Sequence, residues 1–280
     1  MKNILVILGP TASGKSDLAV ELAKKMNGEV VSADSRQVYK GLDIGTGKIT
    51  TAEMQGIPHH LLDIASPQKN FTVADFQKKA YEVIDDILSR GKLPILCGGT
   101  GFYIQSIVDG LVLPEVKPNK KLREELNKIG SEELYEMLAK LDPQRALAID
   151  TNNKVRIIRA IEIIKSLGTI PKIARKPRYK AVQFGIRFSD SILKERITTR
   201  LLKRVDAGMI EEARDLHSTG LSWKRMESLG LEYRYLAYFL RGKISKEEMI
   251  IQLDKLIWHY AKRQMTWFKR DKRIIWMEIK

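Results

Sequence analysis

Cysteine is almost missing from this sequence: Cys97 is alone among 280 residues. One thiol excludes an intrachain disulfide and a cysteine-rich zinc site. Cys97 falls inside the apolar run "LPILCGG" and is expected to be a buried thiol. Long hydrophobic runs are missing as well. Nothing approaches the roughly 18 consecutive apolar residues of a membrane span. The amino-terminal "MKNILVIL" has no small-residue cleavage site and runs straight into a Gly-Pro turn, so it reads as a first strand and not as a signal peptide. The cytoplasm is the expected compartment. Repeats and low-complexity segments are absent. Acidic residues are scarce: 34 Asp and Glu against 49 Lys and Arg leave a formal net charge of +15. Residues 1–112 hold 12 basic and 12 acidic side chains, whereas residues 175–280 hold 25 and 13. An excess concentrated in the last third is the footprint of a surface that meets a polyanion.

What is present reads as alternating strand and helix. Residues 3–8 form an unbroken apolar run, as in a buried parallel strand, and Leu18, Ala19 and Leu22 follow at helical spacing. "GEVVSAD" (28–34) is a short second strand ending in a carboxylate. A Thr72/Asp75 cap opens a helix with Phe76, Ala80, Val83, Ile84 and Ile87 on one face, and Gly91 closes it. "LPILCGGTG" reads as a third strand. After Pro114 the texture becomes charged and helical. "NNKVRIIRAIEIIKSLG" is a helix capped by Asn152 or Asn153 and stopped by Gly168. "YKAVQFGIRF" returns to strand. Helices are expected over 190–218, 231–241 and 245–270, and "RIIWMEI" as a last strand.

Gly9-x-x-x-x-Gly14-Lys15-Ser16 lies between the first strand and the first helix, the setting in which this pattern cradles phosphate. The glycines let backbone N–H groups wrap an anion, and the helix N-terminus adds positive potential. Lys15 supplies a point charge and Ser16 a hydroxyl for Mg²⁺. The expected fold is therefore α/β: a P-loop NTPase-like parallel sheet flanked by helices. Residues 1–112 and 179–280 form the core, and 113–178 a small helical insertion domain. The loop by itself suits an ATPase, a kinase or a protein that never cleaves a nucleotide. A nucleotide hydrolase also needs an acid at a strand end to hold the metal, but the third strand ends in Gly98-Gly99-Thr100. Asp34 is the nearest carboxylate, at the end of the second strand, and strand ends in a parallel sheet face one crevice. An anion cradle, one carboxylate and one threonine hydroxyl suit a phosphate-bearing leaving group with a general base beside it. Asp-Ser pairs are also common in turns, so turn capping is the alternative for Asp34.

The sequence resembles the tRNA dimethylallyltransferases, also called tRNA isopentenyltransferases. The matching stretches, in family order, are "GPTASGKS" (9–16), "SADSRQVYKGLDIGTGK" (32–48), "PHHLLDI" (58–64), "FTVADF" (71–76), "LPILCGGTGFYI" (93–104), "VRIIRAIEIIKSLG" (155–168) and "AKRQMTWFKR" (261–270). The resemblance implies transfer of a dimethylallyl group from dimethylallyl diphosphate to N6 of the adenine 3′ to a tRNA anticodon. The loop would then hold diphosphate through Gly9, Thr11, Ala12, Ser13, Gly14, Lys15 and Ser16, with Mg²⁺ on Ser16. By the same resemblance Asp34 is the general base and Thr100 positions the substrates. Asp34, Ser35, Arg36, Gln37, Thr100, Arg123, Val155, Arg156, Ile157, Ile158 and Arg159 would contact the anticodon stem-loop. No membrane is involved, and a monomer is expected.

One stretch departs from the family. In "MESLGLEYRY" (226–235), Glu227 and Leu231 replace a basic and an aromatic residue, and Tyr233 and Arg234 are expected to take over the RNA contact there. His59 and His60 have no ligand-spaced partner and are expected to be structural. Near the carboxyl end Trp258, Ala261, Met265 and Phe268 make a core stripe, with Lys262, Thr266, Lys269 and Arg273 on a face suited to RNA backbone or to plain solvation. Two other classes compete with a prenyl transferase. A phosphate-loop kinase or ATPase would need a metal-holding acid at a strand end. A noncatalytic RNA-binding module would need neither a complete loop nor Asp34.

Overall fold

The computed structural model describes residues 1–279. β1 (Lys2–Leu8) leads into α1 (Lys15–Lys25), β2 (Gly28–Ser32), α2 (Thr51–Met54), β3 (His59–His60), α3 (Val73–Ser89), β4 (Leu93–Gly98) and α4 (Gly101–Val108). Four helices follow: α5 (Lys120–Asn127), α6 (Ser131–Leu141), α7 (Pro143–Leu147) and α8 (Lys154–Leu167). After β5 (Tyr179–Arg187) come α9 (Asp190–Asp206), α10 (Met209–Ser218), α11 (Trp223–Glu227), α12 (Leu231–Leu240), α13 (Lys246–Phe268) and β6 (Ile274–Glu278).

The six strands form one parallel sheet in the order β3-β2-β4-β1-β5-β6. β1 lies between β4 and β5 and is covered on both faces. Ile4, Val6 and Leu8 pack with Phe76, Ala80, Ile84 and Ile87 of α3 and Ile104 and Ile107 of α4. Leu5 and Ile7 pack with Ala19 and Ala23 of α1. Burial of both faces explains an unbroken apolar run where a half-exposed strand would alternate. The Thr72/Asp75 capping box opens α3, and Gly91 follows it at φ 71°. A third cluster is mainly helical: Leu193, Ile197 and Leu201 of α9 meet Tyr233 of α12 and Met249, Leu253 and Ile257 of α13, with Val38, Tyr39 and Leu42 packed among them.

Four expectations need correction. Residues 190–218 are two helices, broken where Gly208 adopts φ 98°. The two-residue edge strand β3 is too short for periodicity to reveal, so the "LPILCGG" strand is the fourth, not the third. Short α11 was also missed. The buried stripe of α13 runs Met249, Leu253, Ile257, Ala261, Gln264 and Phe268. A polar Gln264 takes the position that hydrophobicity assigned to Met265, and Trp258 is only partly covered.

The chain divides into two compact units, Met1–Gly110 with Pro177–Lys280, and Leu111–Lys176. The second holds α5–α8 around Leu134, Leu138, Ile157, Ile158 and Ile161. Its α8 is capped by Asn153 and stopped by Gly168 at φ 79°. The buried Glu162 carboxylate accepts from Arg123 Nη2 at 2.7 Å, Arg159 Nη1 at 2.5 Å and the Asn119 N–H at 2.6 Å.

Candidate active site

The site gathers at the carboxyl ends of β1, β2 and β4. After β1 the chain turns through Ala12 and Gly14, both left-handed at φ 61° and 76°, and α1 begins at Lys15. The turn aims successive amides and the α1 N-terminus at one point. At Gly9 a Cβ would lie 2.9 Å from Ser13 Oγ and 3.2 Å from Ile186 O, so the return is tight there. Ser13 Oγ is buried without a hydrogen-bond partner among the described residues. Lys15 Nζ donates to the Pro10 carbonyl at 3.2 Å, folded back over the loop.

β2 and β4 end side by side. The Ala33 N–H donates to Cys97 O at 2.8 Å and the Thr100 N–H to Ala33 O at 3.2 Å. A Cβ on Gly98 would sit 2.3 Å from Ala33 O. Glycine is thus required where a hydrolase would carry its acid. Asp34 Oδ1 accepts from the Arg36 N–H at 2.8 Å and the Gln37 N–H at 3.4 Å. It therefore caps a turn. Its Oδ2 has no hydrogen-bond partner among the described residues, and Asp34 lines the cleft. One oxygen fixes the side chain and the other remains available. Thr100 Oγ1 accepts the Ser35 N–H at 3.0 Å, and Thr100 does not line the cleft. Thr100 is thereby tied to the turn that carries Asp34.

Three features escaped the sequence. Gln264 is buried; its Oε1 accepts the Thr11 N–H at 2.9 Å and its Nε2 donates to Gly99 O at 2.8 Å. One amide thereby ties the phosphate loop to the turn before Thr100. The second feature is a row of arginines on α9. Arg196 Nε donates to Ala12 O at 2.8 Å, Arg200 Nη1 to Thr11 Oγ1 at 3.4 Å, and Arg204 Nη1 to Gly45 O at 2.8 Å. The four-residue spacing of Arg196, Arg200 and Arg204 was the available signal. Third, the segment 43–48 forms a wall of the cleft.

The cleft has a volume of about 1160 Å³ and is lined by Thr11–Ser16, Asp34–Gln37, Arg200, Arg204, Arg234 and Tyr260, among others. Burial holds Lys15 below the ordinary lysine pKa, and neighbouring Arg200 pushes the same way, against Cys97 and Asp34. Burial also lowers Arg200, and Arg204 adds to it. Cations under mutual strain in a cleft gain most from a multiply charged anion. Burial raises the Tyr260 phenol, with Asp34 the next cause, so it remains a neutral donor.

The remaining expected residues divide by burial. Val155 and Arg156 are exposed on α8, while Ile157 and Ile158 are 0% and 5% exposed and belong to the core of their unit. Those two side chains cannot touch RNA. Arg123 and Arg159 are held by Glu162. Tyr233 is 1% exposed and its hydroxyl donates to Glu212 at 2.6 Å, so it cannot replace a missing RNA contact; Arg234 does reach the cleft wall. Lys262, Thr266 and Lys269 are exposed, but Arg273 is paired with Asp109 and Asp271. His60 bonds Glu29, and His59 Nδ1 bonds Ile57 O while the residue lines the cleft. Among the described residues no group of three or more His, Cys, Asp or Glu is arranged for a metal, and no helix is long and apolar enough to cross a membrane.

Fold and site define a phosphate-loop α/β protein whose crevice joins an anion cradle to the unpaired Oδ2 of Asp34, with glycine and not an acid at the end of β4. The profile of the IPP transferase family matches residues 37–271, and the chain belongs to that family. It is 44% identical to tRNA dimethylallyltransferase 1 of Syntrophus aciditrophicus over 99% of this chain and 94% of the relative. Among solved structures it is similar to the tRNA isopentenylpyrophosphate transferase of Bacillus halodurans, with 40% identity, a TM-score of 0.76, and coverage of 99% of this chain and 90% of that one. A eukaryotic dimethylallyltransferase acting on tRNA matches at 27% identity and a TM-score of 0.82, covering 99% and 74%.

Proposed function

We infer that this chain is a tRNA dimethylallyltransferase, which moves the dimethylallyl group of dimethylallyl diphosphate onto N6 of the adenine 3′ to the anticodon. The observation that carries the reading is one crevice holding Lys15 and Arg200 beside the free Oδ2 of Asp34. The loop amides of residues 12–16, Lys15 and Arg200 hold the diphosphate. Ser16 lines the same cleft with a hard oxygen. A hydroxyl together with substrate phosphates suits Mg²⁺, which keeps most of its waters and takes few protein ligands. When bound there, Mg²⁺ would neutralise charge on the leaving diphosphate.

The adenine N6 lone pair is delocalised into the ring and attacks poorly by itself. As N6 bonds to the allylic carbon, the bond from that carbon to the diphosphate oxygen breaks and diphosphate departs with the electron pair. The nitrogen becomes cationic, its protons become acidic, and Asp34 Oδ2 accepts one. Thr100 holds the Ser35 N–H and so fixes the turn that aims Asp34. Residues Asp34–Gln37 line the crevice where the adenine must enter. Val155 and Arg156 on α8 and the exposed Lys262 and Lys269 offer further contacts to RNA, with Arg123 and Arg159 beside Glu162.

The test is incubation with unmodified tRNA and dimethylallyl diphosphate, followed by nucleoside mass analysis. A prenylated adenosine is expected, without consumption of ATP. It should vanish in Lys15→Ala, whose pyrophosphate affinity falls while tRNA affinity holds. Strong tRNA-stimulated ATP hydrolysis with no prenylated product would refute the reading.

A further inference from the structure

The segment "DIGTGK" (43–48) is built around a carboxylate from another helix. Glu212 Oε2 on α10 accepts the N–H groups of Asp43 at 2.9 Å and Ile44 at 2.6 Å. Its Oε1 accepts the Gly45 N–H at 2.9 Å and the Tyr233 hydroxyl at 2.6 Å. Three consecutive amides wrapped on one anion form a nest, and here the protein fills it itself. The Tyr233 ring closes the fourth side. A Cβ on Gly45 would lie 2.6 Å from its Cζ.

The opposite edge of the segment presents carbonyls. Gly47 O accepts from Arg200 Nη2 at 2.8 Å and from Gln37 Nε2 at 3.2 Å, and Gly45 O accepts from Arg204 Nη1 at 2.8 Å. Gly47 stands at φ 58°, and a Cβ there would lie 2.3 Å from Arg200 Nη2. Among the described residues no carboxylate lies within salt-bridge distance of Arg200, whereas Arg204 has Glu232 at 3.4 Å. A direct acid on Arg200 would cancel the charge that an anion must feel. A neutral carbonyl fixes the guanidinium and leaves its charge intact.

We propose that Glu212 and Tyr233 are positioning residues for the transfer reaction, acting through the 43–48 segment to hold Arg200 against the phosphate loop. The carboxylate grips the amide edge, the amide edge fixes the carbonyl edge, and the carbonyl of Gly47 aims the guanidinium whose other arm reaches Thr11 Oγ1. This rests on the reading that the cleft holds a diphosphate. It also gives Tyr233 a role in place of the RNA contact expected from its sequence neighbourhood.

The experiment measures inorganic pyrophosphate affinity by calorimetry, tRNA affinity by filter binding and the melting temperature. The variants are Glu212→Gln, Tyr233→Phe and Arg200→Ala, together with Glu212→Gln and Tyr233→Phe each combined with Arg200→Ala. Glu212→Gln should weaken pyrophosphate about tenfold, and Tyr233→Phe, which deletes one hydroxyl and preserves the ring, about threefold. Affinity for tRNA should stay within about twofold. With Arg200→Ala already present, neither change should weaken pyrophosphate further, because coupled residues are not additive. Equal fold-losses with and without Arg200, a parallel fall in tRNA affinity, or a lowered melting temperature with unchanged pyrophosphate binding would each overturn the proposal. If Glu212→Gln does not fold, the Tyr233→Phe pair decides alone. Should Lys15→Ala and Arg200→Ala both bind pyrophosphate like the parent, the diphosphate reading itself fails and takes this one with it.

Discussion

Replacing Asp34 by Asn separates chemistry from structure unusually cleanly, because the two carboxylate oxygens have different tasks. Oδ1 caps the turn by accepting two N–H groups, at 2.8 and 3.4 Å. An Asn can keep its carbonyl oxygen there and turn its amide toward the cleft. The turn survives, and the proton acceptor is lost. General-base catalysis contributes about 10²–10⁴-fold, or roughly 3–5 kcal/mol of barrier. Asp34→Ala removes the turn bonds too. The shorter is worth about 1 kcal/mol and the longer less, so Asp34→Ala should melt a few degrees lower, at about 2–4 °C per kcal/mol. Asp34→Asn should melt close to the parent. The assay is a single turnover at saturating tRNA and dimethylallyl diphosphate, quenched and read by nucleoside mass, beside a thermal melt. Both variants should lose the rate, and only the Ala variant the stability. An Asn variant within a few-fold of the parent rate would make Asp34 a turn residue only. Rates that track melting temperature across the pair would refute the reasoning equally.

Three further outcomes are expected. Burial alone would raise the Glu162 carboxyl, but Arg123, Arg159 and the Asn119 N–H outweigh it and hold it at about 2, against 4.5 ordinarily. A depressed acid stabilises above its unfolded pKa, so on the order of 3 kcal/mol should drain from the 111–176 unit as pH falls from about 4.5 towards 2. Amide protection factors of those residues, taken relative to the intrinsic exchange rate at each pH, should fall across that window, and Glu162→Gln should remove the pH dependence while loosening the unit at neutral pH. Gln264→Leu strands the Thr11 N–H and the Gly99 carbonyl, each costing roughly 1–3 kcal/mol if left unpaired; pyrophosphate affinity and single-turnover rate should both fall, and parent-like values for both would show that the amide bridge is dispensable. The excess of 25 basic over 13 acidic residues in 175–280 should make tRNA affinity drop steeply with salt. Lys262→Ala with Lys269→Ala should flatten that slope for many RNAs alike, and an unchanged slope would place the phosphate contacts elsewhere.

Much of what depends on neighbours along the chain was legible in the sequence by itself, though not the break at Gly208, the two-residue β3 or the short α11. The phosphate loop, its strand and its helix are contiguous, and the apolar run of β1 already implied two covered faces. The Thr72/Asp75 cap and Gly168 marked helix ends. Parallel strands put Asp34 in the crevice without any coordinates. Tertiary structure alone decided which distant groups face one another. Helical spacing puts Arg196, Arg200 and Arg204 on one side of α9 but carries no information on what that side meets. Gln264 reaches Thr11 across 253 positions, and Glu212 reaches Gly45 across 167. Tyr233, expected beside Arg234 at an RNA contact, is instead buried and packed over Gly45. Hydrophobic periodicity reports only that a face is buried. The packing of α9, α10, α12 and α13 fixes where a buried polar group finds its partner, and no local pattern encodes that.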